Sequence, residues 1–391
     1  MKTMTASEAI QTREEHLERI ARYLLLNGGF TNNISLNAGK TGISFFMLHY
    51  ARYKQVKMYH SFGEDLLQEV FNTMNLKSGK GFGTGLAGIA WSIEHLLQHD
   101  LIQMNESSLE VLVDIDDAVY AWNYELTWGF SEGLTGYLLY MQNRINREGY
   151  NSEDLDKIIR YEVYISMIDR LERIFIRKFR EDSNALSRFI ADNKYTATAK
   201  NTEICNHAKV ITILARSLHY DIYPVVTMRL LERMIACINP AFAAMKQNIP
   251  DNLHDAFMHF NIQVELCQAC WNAWKYTGNE SWRDTAREQL LAAIDTYMPL
   301  TGAAFDNIVY LQKTIFMAQV YRRAYLEMQE PAFERACNEI TDHLISLSYT
   351  AIAKENDKCM GITEGLAGIG LVVLSGIDAE TCFWDECLLI S

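Results

Sequence analysis

The sequence predicts an all-α protein: one α/α toroid domain over residues 1–391, with about seven inner and seven outer helices. Three observations predict it. Proline is scarce at 5 residues in 391, and Pro224, Pro240, Pro250, Pro299 and Pro331 fall between apolar periodic stretches. Helix interiors exclude proline, so this distribution favours helices throughout. An x-Gly-x-x-Gly signature recurs along the chain. Each copy is followed by a run that is apolar nearly all round, which only an enclosed helix tolerates.

The elements follow in order. MKTMTASEAIQTREEHLERIARYLLLNGG reads as an amphipathic helix with Thr5 or Ser7 as its cap and Gly28-Gly29 as its stop. The first glycine unit is NAGKTGISFFMLHY from Asn37, the second GTGLAGIAWSIEHL from Gly83, and the third SEGLTGYLLYMQNR from Ser131. A fourth full copy, TEGLAGIGLVVLS, starts at Thr363. The paired glycines are Gly39 and Gly42, Gly85 and Gly88, Gly133 and Gly136, and Gly365 and Gly368. Leading glycines of the first three copies stand 46 and 48 residues apart, and the gap before Gly365 leaves room for three more units. Degenerate copies fill it: HAKVITILARSLHY from His207, NIQVELCQACWNAWKYTG from Asn261 and LQKTIFMAQVYRRAY from Leu311. Polar amphipathic stretches such as residues 151–181 supply outer helices, and TCFWDECLLIS is apolar enough to dock. Units that bury their apolar faces only against neighbours make a solenoid or a ring, and the all-round apolar helices favour the ring.

A glycine pair at a helix start also invites a phosphate reading. No strand pattern precedes any copy, and Gly39-Lys40-Thr41 lacks the upstream glycine a phosphate loop needs. The expected role is packing: Gly at i and i+3 clears one face of the first turn for another backbone.

Formal net charge is -13 without a basic run, which excludes nucleic acid or an anionic membrane as partner. No stretch reaches the length of a membrane span, and the N-terminal stretch lacks a signal-peptide pattern. Eight scattered cysteines, at 205, 237, 267, 270, 337, 359, 382 and 387, suit a reduced, cytoplasmic setting better than a disulfide framework.

The repeated GKTGI, GLAGI and GLTGY units over residues 30–376 resemble the lanthionine synthetase C-like family, the lantibiotic cyclases. The resemblance implies an α/α toroid acting in maturation of a ribosomally made peptide. It also implies a zinc held by two cysteines and a histidine, which activates a peptide cysteine thiolate for attack on a dehydrated Ser or Thr. Its metal motifs, Trp-Cys-Tyr-Gly in the fifth unit and Cys-His-Gly in the sixth, are absent. The fifth unit reads HDAFMHFNIQVELC, with His259 near the cysteine's place. The sixth reads GAAFDNIVYLQKTI, where Asp306, Asn307 and Tyr310 are the nearest polar residues. Asn206 or His207 falls at the family's fourth-unit histidine, and Gly129 where an acid precedes the third glycine pair.

A zinc site assembled otherwise would draw on His259, Cys267 and Cys270, with His207 or Cys205 from a neighbouring unit. Buried core residues are the competing reading for these cysteines and histidines. Zinc is the one cofactor in question; no other is expected. The expected function is a cyclase-related role in peptide maturation, with loss of the metal motifs marking a diverged or inactive member. Its partner would be a precursor peptide or a peptide-modifying enzyme. The alternative is a carbohydrate-active α/α toroid enzyme using Glu132 and Glu364, which stand at equivalent places in the third and seventh units. Against it, each glutamate suits a helix start by charge alone. A sugar cleft would use rings such as Trp91, Trp122, Trp128, Trp271, Trp274, Trp282 and Trp384, but Trp271 and Trp274 at i, i+3 read as core. Asp114, Asp116 and Asp117 read as an exposed stretch between an outer and an inner helix. A purely scaffolding toroid is a third reading.

Overall fold

The computed structural model describes residues 6–76, 79–104, 106–120, 127–148, 155–180, 182–191, 198–353 and 360–390. Thr5, Trp122 and Cys359 lie outside these, as does the side chain of Cys382. Among the described residues there are sixteen α-helices, three short 3-10 segments and no strand. They fall into two compact units, Met1–Val119 with Phe305–Leu388, and Tyr120–Ala304 with Leu389–Ser391.

The first stretch of the first unit holds α1 (Ala6–Asn27), α2 (Lys40–Lys54), α3 (Lys57–Thr73), α4 (Leu86–Gln98) and α5 (Glu106–Tyr120). The second unit holds α6 (Leu134–Glu148), α7 (Leu155–Phe179), α8 (Ala185–Ala191), α9 (Thr198–His219) and α10 (Pro224–Ile235). It continues with α11 (Ile238–Gln247), α12 (Leu253–Thr277) and α13 (Glu280–Phe305). The chain then returns to the first unit with α14 (Leu311–Met328), α15 (Pro331–Ala353) and α16 (Leu366–Ser375).

Burial separates two kinds of helix that alternate along the chain. The seven that carry the glycine and degenerate copies, α2, α4, α6, α9, α12, α14 and α16, are enclosed on most faces. In α16 every residue from Leu366 to Ser375 is buried, and in α12 every residue from Ala256 to Ala273. Their partners α1, α3, α5, α7, α10, α13 and α15 bury one stripe and leave the other in water, as amphipathic covering helices do. The short helices α8 and α11, packed on each other, are additions to that alternation.

Several sequence expectations are corrected. Ser7 lies inside α1 rather than at its cap. Pro299 lies inside α13, where it removes one main-chain donor from the helix. Asp114, Asp116 and Asp117 lie on α5, not on a connecting stretch, and Asp116 is buried while the other two are exposed. Helical spacing sends neighbouring residues to different faces, so no three-carboxylate cluster forms there.

The glycines work at close range. A Cβ at Gly88 would overlap the Phe82 carbonyl oxygen, one at Gly368 the Ile362 carbonyl, and one at Gly42 the Leu36 carbonyl. Each of these carbonyls belongs to the loop six residues upstream, so the backbone that approaches is the unit's own entry loop rather than a neighbouring helix. The leading glycines serve the same fold-back: Gly39 and Gly85 have φ of -124° and -128°, extended values open to any residue. A side chain there fails by collision with Asn33 and Gly79, not by strain. The loops bond to the first helical turn in register, Lys40 N–H to the Asn33 carbonyl at 2.8 Å, Leu86 to Gly79 at 3.0 Å, and Leu134 to Thr127 at 2.8 Å. Lys40 and Thr41 are used inside this arrangement: the Lys40 ammonium pairs with Glu69 of α3, and the Thr41 hydroxyl donates to the Ile34 carbonyl.

In the first unit consecutive entry loops are also tied to one another. Asn37 donates its N–H to the Gly83 carbonyl at 3.1 Å, and its own carbonyl accepts from Thr363 N–H at 3.2 Å. The first, second and last glycine copies therefore share one line of main-chain hydrogen bonds.

Candidate functional site

The polar residues of the second unit collect along the junction of α9 and α12, which is the most extensive helix pairing within it. Asn261 Nδ2 lies 3.8 Å from Cys205 Sγ, Lys209 Nζ 3.1 Å from Glu265 Oε2, and the Thr212 hydroxyl 3.4 Å from Gln268 Oε1. On each helix these residues are spaced four and then three apart, so they form one stripe per helix. Side chains of Lys209 and Glu265 are 14% and 8% exposed, which makes the ion pair largely buried. A hydrogen-bonded pair of opposite charges satisfies the groups that burial would otherwise penalise.

At the start of α9 the stripe meets the loop that opens α6. Trp128 is buried and donates its indole N–H to Glu203 at 2.9 Å, and Lys178 of α7 reaches the same carboxylate at 2.8 Å. Lys209 stands over the Phe130 ring at 5.4 Å. Gly129, where an acid was expected by resemblance, leaves space beside the Asn206 amide: a Cβ there would sit 3.7 Å from Asn206 Nδ2. Cys205 is a partly exposed thiol, whereas Asn261 is buried, its Oδ1 making no hydrogen bond. Two carboxamides, a thiol, an ion pair and two aromatic rings gather at this locus, with Asn206, Asn261 and Trp128 buried and Cys205, Lys209 and Phe130 half-buried.

The sequence-selected histidines point elsewhere. His207 is fully buried, its Nε2 bonded to the Met234 carbonyl at 2.9 Å, with its ring against Phe175, Phe179 and Trp128. His259 is also buried, its Nδ1 3.3 Å from the Tyr297 hydroxyl of α13. Both are therefore turned towards covering helices. Burial depresses the pKa of each to about 4.

The donor set His259, Cys267 and Cys270 does not fit a zinc ion. All three stand on the unbroken helix α12, where the eight-residue step from His259 to Cys267 corresponds to a rise of about 12 Å. Cys267 and Cys270 are buried, and burial pushes the Cys270 thiol up to about 12 and Cys267 well above its ordinary value. That opposes the thiolate form a metal requires. Among the described residues no group of three His, Cys, Asp or Glu is placed to hold a metal ion. Asp306 instead pairs with His343 at 2.8 Å, and Asn307 caps the 3-10 turn at Val309.

Glu132 and Glu364 are both exposed on the loops ahead of α6 and α16. Ser131 donates its hydroxyl to Glu132 at 3.2 Å. Of the site residues, Asn206 had been singled out by resemblance, and Cys205 only as a reserve ligand. Lys209, Asn261 and Glu265 were missed, although their four-residue spacing on two apolar stretches was visible.

The alternation of enclosed and covering helices, with a glycine fold-back at each full copy, defines an all-α protein of the α/α toroid type. Among solved structures, Nisin cyclase matches with a TM-score of 0.63 at 16% sequence identity, over 97% of this chain and 98% of that one. At that identity the likeness shows the fold. No protein-family model matches the chain, and no curated protein matches it in sequence. Among the described residues no helix is long and apolar enough to cross a membrane.

Proposed function

We propose that this chain acts in the maturation of a ribosomally made peptide, as a lantibiotic-cyclase-like protein that has diverged at the metal site. Its role is to bind the precursor peptide, or the enzyme that modifies it, rather than to close thioether rings on zinc. The observation that carries the reading is the fold likeness to Nisin cyclase over nearly the full length of both chains. The half-buried Cys205 and Lys209 mark the place along the α9–α12 junction where the peptide would lie, over the buried Asn206 and Asn261. The carboxamides of Asn206 and Asn261 would bond main-chain amide groups, a mode that accepts many side chains. Trp128 and Phe130 would exclude water from one edge. Among the described residues no three His, Cys, Asp or Glu stand together to hold that metal, which supports the diverged reading.

The test combines elemental analysis with peptide binding. The full chain, purified without chelator and dialysed against metal-free buffer, should carry zinc well below one equivalent. It should bind a fluorescent thiol-containing precursor peptide saturably, without forming a thioether detectable by mass. Asn206→Ala and Asn261→Ala should weaken that binding. Stoichiometric zinc with thioether formation would overturn the diverged assignment, and absence of saturable binding to either a precursor peptide or a peptide-modifying enzyme would overturn the role.

A further inference from the structure

One stretch of this chain already lies against the α9–α12 junction as a peptide would. Gln268 of α12 donates its Nε2–H to the main-chain carbonyl of Leu389 at 2.5 Å and reaches that of Ile390 at 3.3 Å. Residues 389 and 390 belong to the second unit, as do α9 and α12. Leu389 is fully buried and Ile390 nearly so. Gln268 is held from its other end: the Thr212 hydroxyl of α9 lies 3.4 Å from its Oε1, and Asn272 Nδ2 lies 3.4 Å from that hydroxyl. Gln268, Thr212 and Asn272 are all buried, so the seat is a fixed carboxamide facing carbonyl oxygens. This is the bonding proposed for Asn206 and Asn261, with a peptide segment in place.

The seat continues the polar stripe. Gln268 stands seven residues beyond Asn261 on α12, and Thr212 seven beyond Cys205 on α9, a rise of about 10.5 Å along each helix. An extended peptide advances about 3.3 Å per residue. A peptide laid along the stripe from the Cys205–Asn261 pair therefore meets Leu389 and Ile390 within about three residues. The segment is also strained where it is held. Leu389 has a φ of 58°, in the left-handed region that a bulky side chain rarely adopts. Burial of its side chain and the bond to its carbonyl offset that strain, and leaving the seat releases it. An occupant held this way is suited to give way to a competitor.

We propose that the Gln268 seat is a further main-chain binding position of the peptide site, filled in the free protein by this chain's own Leu389 and Ile390 and vacated when a bound peptide extends into it. The inference rests on the peptide-binding role and adds its regulation. The resident segment displays the chemistry that fits: carbonyl oxygens of successive residues for one carboxamide, and aliphatic side chains for the buried surroundings. A peptide with two adjacent aliphatic residues presents the same groups. Because the resident must leave first, the apparent affinity is the intrinsic affinity scaled by the fraction of molecules whose seat is vacant.

The test uses a fluorescein-labelled, amidated peptide with the sequence of residues 384–390, serine replacing Cys387 in the peptide. In the full chain, Ile390→Asp puts a charge on a residue that is 4% exposed and should unseat the resident. That variant should bind the probe at least about ten-fold more tightly than wild type, and adding Gln268→Leu should abolish the gain. Cys387, buried two positions before Leu389, should be alkylated faster in Ile390→Asp and in Gln268→Leu than in wild type. Equal probe affinity in wild type and Ile390→Asp, or a gain that survives Gln268→Leu, would overturn the proposal. Precursor binding that is equal in wild type and Ile390→Asp would overturn it too, with the peptide role intact. A precursor bound by neither protein would overturn the role itself, whatever the probe does. Should Ile390→Asp fail to fold, unchanged Cys387 alkylation in Gln268→Leu would overturn the proposal alone.

Discussion

Lys209 on α9 and Glu265 on α12 stand 56 positions apart in sequence and 3.1 Å apart in space. Cys205 with Asn261, and Thr212 with Gln268, keep the same offset of 56. A constant offset means two parallel helices in fixed register, so α9 and α12 belong to two sequence repeats related by a shift of 56. A buried pair of this kind resists loss of one partner more than loss of both. Lys209→Met or Glu265→Leu alone should destabilise by about 2–4 kcal/mol, and the double variant by clearly less than the sum. Urea unfolding of the four species checks it; strict additivity would show that the two groups do not act as a pair.

The glycine fold-backs predict a sharp contrast between positions. Gly88→Ala and Gly368→Ala each force a methyl into a loop carbonyl and should cost at least about 2 kcal/mol or prevent folding. Gly302 lies within α13 with nothing near its absent Cβ. Gly302→Ala should stabilise by up to about 1 kcal/mol through helix propensity. Denaturant midpoints of the three variants give the comparison.

Stability should fall with acid through the two buried histidines. His207 and His259 have folded pKa values near 4 against an ordinary 6.5, so the unfolded chain binds protons first. Their stabilising contribution is complete above about pH 6.5, declines as pH falls towards 4, and is gone below that. For His207 the full span is on the order of 3 kcal/mol. Unfolding free energies between pH 7.5 and 4.5 should therefore drop, and His207→Gln should flatten the slope; an unchanged slope would contradict the assignment.

Thiol reactivity should rank by exposure. Native protein should be alkylated at Cys205, which is partly exposed, well before Cys237, Cys267, Cys270 or Cys387. Burial pushes the Cys237 thiol up to about 11 and Cys270 to about 12, and holds Cys267 and Cys387 well above the ordinary thiol value. Peptide mapping after a short maleimide pulse reads the order, and early labelling of Cys267 would contradict the enclosed packing of α12.

Much of the fold was legible because its rule is steric and local. Gly39, Gly85, Gly133 and Gly365 mark places where a loop must touch its own helix, and that demand leaves the same letters each time. The units without glycine are joined by side-chain pairs instead, and a Cys–Asn, a Lys–Glu and a Thr–Gln have no common spelling. The 56-residue shift was therefore invisible until the helices were seen side by side. His207 and His259 misled for a different reason. Their spacing fixes a face of a helix but not whether that face meets water or a covering helix, and Met234 and Tyr297 lie 27 and 38 residues further on.

The line of main-chain bonds from Gly83 through Asn37 to Thr363 sets an order of events during synthesis. Thr363 and Asn37 are 326 residues apart, so on the ribosome the first helices wait for their last neighbour. At about 5–20 residues per second that delay is tens of seconds. The second unit between them is nearly all emitted by then, and its α9–α12 register can form first. Until α16 arrives, one flank of α2 is an uncovered apolar face, and this is the interval in which the nascent chain most needs protection from its neighbours.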